Sequence, residues 1–194
     1  MKQSGLKKAL GVEGKLVYGS VQKTDLGHYS PIILHSYKTI MDDNTAFILM
    51  GGHQNYVELA RSLNLKNFHI IPLLESEEKV EQFLKSLDIY AHGSPQGDQM
   101  LSTLMSVLKI GMPIISHFGS EQNQELVNMV GPAGVVHGHP QSYCFEFWNL
   151  KTHELYRNWR KEKARQHHAM IADATKVEKR VSNDSWIEEW LEEK

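Results

Sequence analysis

The chain is poor in the features that most readily betray a function. It has a single cysteine, Cys144, in 194 residues. No internal disulfide can form, which suits a reducing compartment. It has no run of 18 or more apolar residues, so nothing in it reads as a membrane span. Its opening, MKQSGLKKALG, carries lysines without the apolar core of a secretory signal. These absences lead to the expectation of a cytoplasmic protein. Charge is balanced at 21 basic against 23 acidic residues, a net −2, so the excess of one sign that marks nucleic-acid binding is missing.

The common site motifs are missing too. There is no G-x-G-x-x-G, no G-x-x-x-x-G-K-[ST], no H-E-x-x-H and no C-x-x-C. Gly93-Ser94-Pro95-Gln96-Gly97 lacks the spacing of a nucleophile elbow. Eleven histidines are present, with His137-Gly138-His139 and His167-His168 as the closest pairs. No acid or cysteine completes a set of three or four ligands around them, so they read as surface histidines and no metal is expected. Cys144, set among aromatic residues, reads as a small core residue.

What is present is alternation. Apolar content of 41% and charged content of 23% are ordinary for a globular domain. A chain of this length can bury roughly 70% of its unfolded surface. Lys15 to Val21 reads as a first strand, followed by a polar turn, Gln22 to Ser30. Pro31 then opens a helix to about Met41. Ala46 to Met50 is an apolar run ending in Gly51-Gly52, as in a strand covered on both faces. Tyr56 to Leu63 reads as helix, and Phe68 to Ile71 as a strand stopped by Pro72. Ser76 caps a helix with Val80, Phe83, Leu84 and Leu87 on one face. Ile89 to Ala91, Ile114-Ile115 and Gly134 to Val136 are further strands. Helices fill the intervals at Leu101 to Ile110 and Ser120 to Val130.

Such alternation implies right-handed crossovers and a parallel sheet. The fold class expected is α/β: a Rossmann-like three-layer domain with a six-stranded parallel sheet over 1–150. C-terminal helices over 151–194 would pack on it or on another domain. Within them, Leu155 to Lys179 is charged and helical in pattern, and Trp186, Ile187, Trp190 and Leu191 make one apolar face. Tyr143, Phe145, Phe147 and Trp148 form an aromatic cluster just before.

In parallel sheets, ligands bind beyond the carboxyl ends of the strands. That places Gln22–Ser30, Gly51–Asn55, Pro72–Ser76, His92–Met100 and His117–Ser120 on one rim. Asp98 is the acid of the fourth loop. It is either a helix N-cap or a carboxylate that accepts hydrogen bonds from sugar hydroxyls. The amides of Gln99, Met100 and Leu101 would lie at a helix start, which suits phosphate or hydroxyl groups. Lys23 is either a solvated turn lysine or a diphosphate clamp, with His28 as a second candidate for that role.

These stretches resemble, in order over about residues 10 to 180, the C-terminal donor-binding half of retaining GT-B-fold glycosyltransferases of the group 1 type. The matching segments are Gly19 to His28, Phe47 to Gly52, Leu63 to Pro72, and the loop His92 to Asp98 before Gly111-Met112-Pro113-Ile114-Ile115. The resemblance implies that Gly19, Lys23, His28 and Pro72 line the donor site. It implies the same for His92, Gly97, Asp98, Gln99, Met100, Leu101 and Ser106. Lys23 stands where the family has arginine, and His28 approximately where it has lysine. Asp98 and Ser106 stand where it has two glutamates with seven residues between them.

The resemblance further implies that Asp98 and Lys23 carry catalysis and that the reaction moves a sugar from a nucleoside diphosphate sugar to an acceptor hydroxyl on a glycan, lipid or protein. No cofactor beyond the donor substrate is expected, and no nucleic-acid partner. Such enzymes work between two halves, so an N-terminal half or a partner subunit is expected for activity. The alternative is a degenerate, non-catalytic module that binds a nucleotide sugar or a protein.

Overall fold

The structure is a computed structural model that describes residues 4–74, 76–94, 101–118 and 124–183. In chain order the elements are α1 (Ser4–Ala9), β1 (Leu16–Gln22), α2 (Ile32–Ile40), β2 (Thr45–Gly51), α3 (Asn55–Ser62), β3 (Phe68–Ile71) and α4 (Glu77–Leu84). They continue with β4 (Ile89–Ser94), α5 (Leu101–Ile110), β5 (Ile114–Phe118), α6 (Gln124–Val130), β6 (Gly134–His137), α7 (Pro140–Thr152) and α8 (Glu154–Asn183).

All six strands pair in parallel, in the order β3-β2-β1-β4-β5-β6. This is the doubly wound Rossmann order, and it reverses between β1 and β4. The position of β2, flanked by β3 and β1, explains its sequence. All seven residues from Thr45 to Gly51 are buried, so both faces demand apolar side chains.

Two apolar layers flank the sheet. On one face, Val17, Val21, Ile48, Met50, Tyr90 and Ile114 pack under α4, α5, α6 and α8. On the other, Tyr18, Phe47, Leu49, Ile89, Ala91 and Ile115 pack under α2, α3 and α7. The aromatic cluster expected near 143–148 divides between core and surface. Tyr143 and Phe147 are buried, whereas Phe145 and Trp148 are exposed and stack on each other. The Tyr18 hydroxyl donates to the Phe147 carbonyl at 2.7 Å, and their rings stack at 5.0 Å. A buried Tyr hydroxyl with a partner costs little, so this contact fixes α7 on the sheet without a desolvation penalty.

α8 packs across α5 and the turn at 131–133. Its Ala164 is fully buried in the α5-side core, so the helix expected after 151 docks on the sheet domain. Arg160 fixes this arrangement. It donates to the carbonyls of Pro132 and Gly134 and to the Tyr156 hydroxyl. That hydroxyl in turn donates to buried Glu146 of α7. Arg157 meets the carbonyls of Leu150 and Lys151, which closes the end of α7.

One element was not foreseen and one expectation is corrected. No element was expected before β1, yet α1 is there. Lys7 reaches Asp88 at 2.9 Å, and the same carboxylate accepts the Val17 amide at 2.8 Å. The pair ties α1 to the amino end of β1. The correction matters more for function. β4 does not end at Ala91 but runs through His92, Gly93 and Ser94, which pair with Ser116, His117 and Phe118. Polar residues continue the strand because the ladder, not the side chains, holds it there. The expected cap at Ser120 and the apolar face at Trp186 to Leu191 lie outside the described residues.

Candidate functional site

The strand order reverses at the carboxyl ends of β1 and β4, the switch point where doubly wound sheets form their ligand crevice. Gln22, the last residue of β1, builds its floor. It is 2% exposed, and its side-chain amide donates to Ser20 Oγ at 2.9 Å and to the Gly93 carbonyl at 3.1 Å. Its own carbonyl accepts the Gly52 amide at 3.0 Å. One residue therefore joins the ends of β2, β1 and β4.

Gly51 and Gly52 make this approach possible. Both have positive φ, +74° and +93°, and a Cβ on Gly51 would lie 2.2 Å from the Gln22 carbonyl oxygen. Only glycine fits such backbone crowding in the left-handed region. Gln22 was legible in the sequence only as the start of a polar turn. A polar residue closing an apolar strand is the signal that could have found it.

Lys23 is the first residue past Gln22, half-buried at the mouth of the crevice. The following turn, Leu26–His28, brings His28 under the loop, where it is buried and its Nδ1 lies 2.5 Å from Asp25 Oδ1. The hydrogen bond from His28 holds the exposed Asp25 carboxyl below its usual range, with a smaller contribution from the charge of Lys23. Asp25 thus sits between the two residues expected to clamp a diphosphate. His28 is committed to shaping this loop, and Lys23 is the cation the turn presents at its start.

The other site candidates fall in several places. Gly19 lies in the middle of β1, paired with Ile48 and Tyr90. A Cβ there would meet Leu87 at 2.5 Å and the Ile48 carbonyl at 2.9 Å. Its smallness answers a packing need, and the structure does not bring it to the rim. Pro72 is exposed just past β3, at the far side of the sheet. Leu101 opens α5, with its side chain against the core and its backbone at the rim. Ser106 lies in the second turn of that helix, and its hydroxyl donates back to the Ser102 carbonyl at 3.3 Å. Gly97, Asp98, Gln99 and Met100 lie outside the described residues.

His92 is fully buried in β4. Its Nδ1 lies 2.8 Å from Ser116 Oγ on β5, and its carbonyl accepts the Tyr143 hydroxyl at 3.1 Å. Its Nε2 is buried with no partner among the described residues. Burial, helped by nearby His117, pushes its pKa down to about 4, so it is neutral at ordinary pH. Burial also lowers the pKa of His117 on β5 and of His137 on β6.

Of the paired histidines, His139 accepts the Gln141 amide at 3.3 Å and His167 lies 2.8 Å from the Asn128 carbonyl, whereas His137 Nε2 is buried with no partner among the described residues. Among the described residues no group of three or more His, Cys, Asp or Glu gathers as metal ligands. No described helix is long and apolar enough to cross a membrane.

Comparison with solved structures finds this arrangement elsewhere. HepE of Anabaena, solved in complex with UDP and glucose, superposes with a TM-score of 0.74 at 15% identity, covering 93% of this chain and 52% of HepE. WaaG, a glycosyltransferase involved in lipopolysaccharide biosynthesis, gives 0.70 at 16% identity, covering 86% of this chain and 46% of WaaG. The C-terminal domain of the group 1 glycosyltransferase LpcC of Francisella tularensis gives 0.62 at 12% identity, covering 86% of this chain and 89% of that domain. The chain thus spans about half the length of HepE and WaaG. No family model and no curated protein matches the sequence. Identities this low speak to fold, and the fold shown is the Rossmann-like α/β unit of GT-B glycosyltransferases.

Proposed function

We propose that the chain is the nucleotide-sugar-binding half of a glycosyltransferase. The observation that carries this reading is the crevice at the β1/β4 switch point, in a fold shared along 93% of the chain with a protein solved with UDP and glucose. The braced floor at Gln22 supports it, since a rigid rim holds a ligand at small entropic cost. The diphosphate would lie between Lys23 and the first amides of α5, where a cation and a helix N-terminus both favour anionic oxygens. Lys23 would then stabilise the charge that grows on the leaving nucleoside diphosphate. Asp98, beyond β4 in the chain, would accept hydrogen bonds from the donor sugar hydroxyls and so orient its anomeric carbon. Ser106 would lie near the ribose. The acceptor and the remaining catalytic surface would come from a second half or partner.

Calorimetry with UDP, GDP and their glucose conjugates tests the reading. We expect binding of at least one of them at millimolar concentration or better. Lys23→Ala should weaken it about tenfold, as for loss of one charge-assisted contact. Asp98→Ala should weaken the sugar conjugate but not the free diphosphate. If none of the four binds, the reading fails. If binding survives both substitutions unchanged, the assigned residues are wrong.

A further inference from the structure

We infer that a second copy of this chain docks on the outer face of α7 and the first turns of α8, giving a two-fold dimer with both crevices free. Two apolar stripes meet there. Phe145 and Trp148 lie one turn apart on α7, and Leu155 and Trp159 one turn apart on α8. These four side chains are exposed, at 59%, 46%, 86% and 48% in that order. Ring contacts join the stripes. Phe145 stacks on Trp148 at 5.8 Å, Trp148 meets His153 edge-on at 5.4 Å, and Tyr156 stacks on Trp159 at 6.0 Å. A hollow of about 450 Å³ lies at their junction, lined by Asn149, His153, Leu155 and Tyr156.

The four exposed side chains offer roughly 400 Å² of apolar surface. That is about half of the ~800 Å² each partner gives to a standard interface. An aromatic centre, an arginine stacked over it and a polar rim is how protein interfaces are composed. Here Arg160 lies over the Trp159 ring at 5.0 Å. Lys151, near the end of α7, donates to the Ile40 carbonyl and pairs with Asp42, each at 2.7 Å. Those two residues lie just before β2, so the α7–α8 junction sits at the amino ends of the strands. The crevice, and any second half closing on it, belongs to the opposite ends.

Charge pattern selects a second copy as the occupant. Glu154 and Lys161 share one flank of α8, two turns apart, with Leu155 and Trp159 beside them. Two α8 helices packed antiparallel, with Leu155 of each copy on Trp159 of the other, bring each Glu154 beside the other copy's Lys161. The same pairing sets each Trp159 at the other copy's hollow. One surface thus supplies both sides of the fit, as an isologous interface requires. An anionic membrane is a poorer match, because Glu154 and Glu162 both stand exposed on this face.

Sedimentation equilibrium of the 194-residue chain provides the test. At about 100 μM, where a pair of micromolar affinity is mostly associated, the expected mass is twice the 22.2 kDa of the chain. Leu155→Glu alters a side chain too exposed to support the fold, and should raise the dimer dissociation constant roughly tenfold or more. Val57→Glu, exposed on α3, should leave it unchanged. Glu154→Lys should weaken the dimer about threefold, and adding Lys161→Glu should restore it. UDP affinity should be the same in Leu155→Glu and the parent, so failure of the glycosyltransferase reading leaves this test standing. A monomer at this concentration, a dimer indifferent to Leu155→Glu, or no restoration by the charge swap overturns the inference. So does a monomer that pellets with phosphatidylserine vesicles, which would give the face to a membrane.

Discussion

The two halves of the sheet meet the rim in different ways. On the β3-β2-β1 side the strand ends are locked by main chain and one amide: Gln22 to Gly52, and Gln22 to Gly93. On the β4-β5-β6 side they carry imidazoles and hydroxyls, with His92 against Ser116, and His117 in register with His137. One side is built for rigidity and the other presents titratable groups held neutral by burial. The comparison suggests that geometry and chemistry are divided between the two mononucleotide-type halves, with the crevice on the seam.

The most severe way to break the rigid side is Gly51→Ala. The left-handed φ costs about 1–2 kcal/mol and the clash with the Gln22 carbonyl adds backbone movement. A total loss of about 3–4 kcal/mol is expected in urea denaturation.

The titratable side should break with acid. The unfolded His92 binds a proton near its ordinary pKa of 6.5, and the folded one only near about 4. Between these values the unfolded chain holds more protons, so stability is full above pH 6.5 and falls as pH drops toward 4. About 2 kcal/mol should be lost between pH 7.5 and pH 5 in urea melts. His92→Gln should flatten that slope, and the part that remains includes His69, His117 and His137, whose pKa values burial also lowers. A slope unchanged by the substitution would mean that His92 does not carry it.

Gln22→Ala tests the seam itself. It removes the hydrogen bond to the Gly93 carbonyl and should cost about 1–2 kcal/mol. It should also weaken UDP more than a surface substitution such as Lys38→Ala, if the braced floor matters for binding. The smallest effect is expected at Asp25→Asn. Removing a carboxylate beside Lys23 should tighten UDP by about threefold at low salt, the scale of an exposed charge interaction. The gain should fade at high salt.

Much of the fold was legible because period and punctuation agree. β2 and α5 sit where the apolar run 46–50 and the spacing of Leu101, Leu104 and Leu108 put them. The strand order was not legible, since it depends on which edges pair. Nor was α1, a short helix held by the Lys7–Asp88 pair and by Leu6 against the core. At the site, Lys23 directly follows β1, where the sequence placed it. Gly19 misled because a glycine required by packing and one required by a ligand look alike in sequence. His92 was named and Gln22 was put on the rim, but the bracing by Gln22 and the row formed by His92, His117 and His137 were not legible, because their neighbours come from distant parts of the chain. The extent of β4 was missed for a related reason. His-Gly-Ser reads as loop until the β5 ladder beside it is known.

The Gln22 bracing has a consequence for motion. The Gly52 amide ends in a buried carbonyl, at a junction of three strands that cannot separate singly. Opening it requires the whole junction to part, so this amide should exchange with deuterium at nearly the global unfolding rate, far more slowly than a loop of its position would. A nucleotide entering the crevice would then meet a floor that does not breathe. Protection gained on its binding should appear in the walls, at Lys23 and the first turn of α5, and not beneath it.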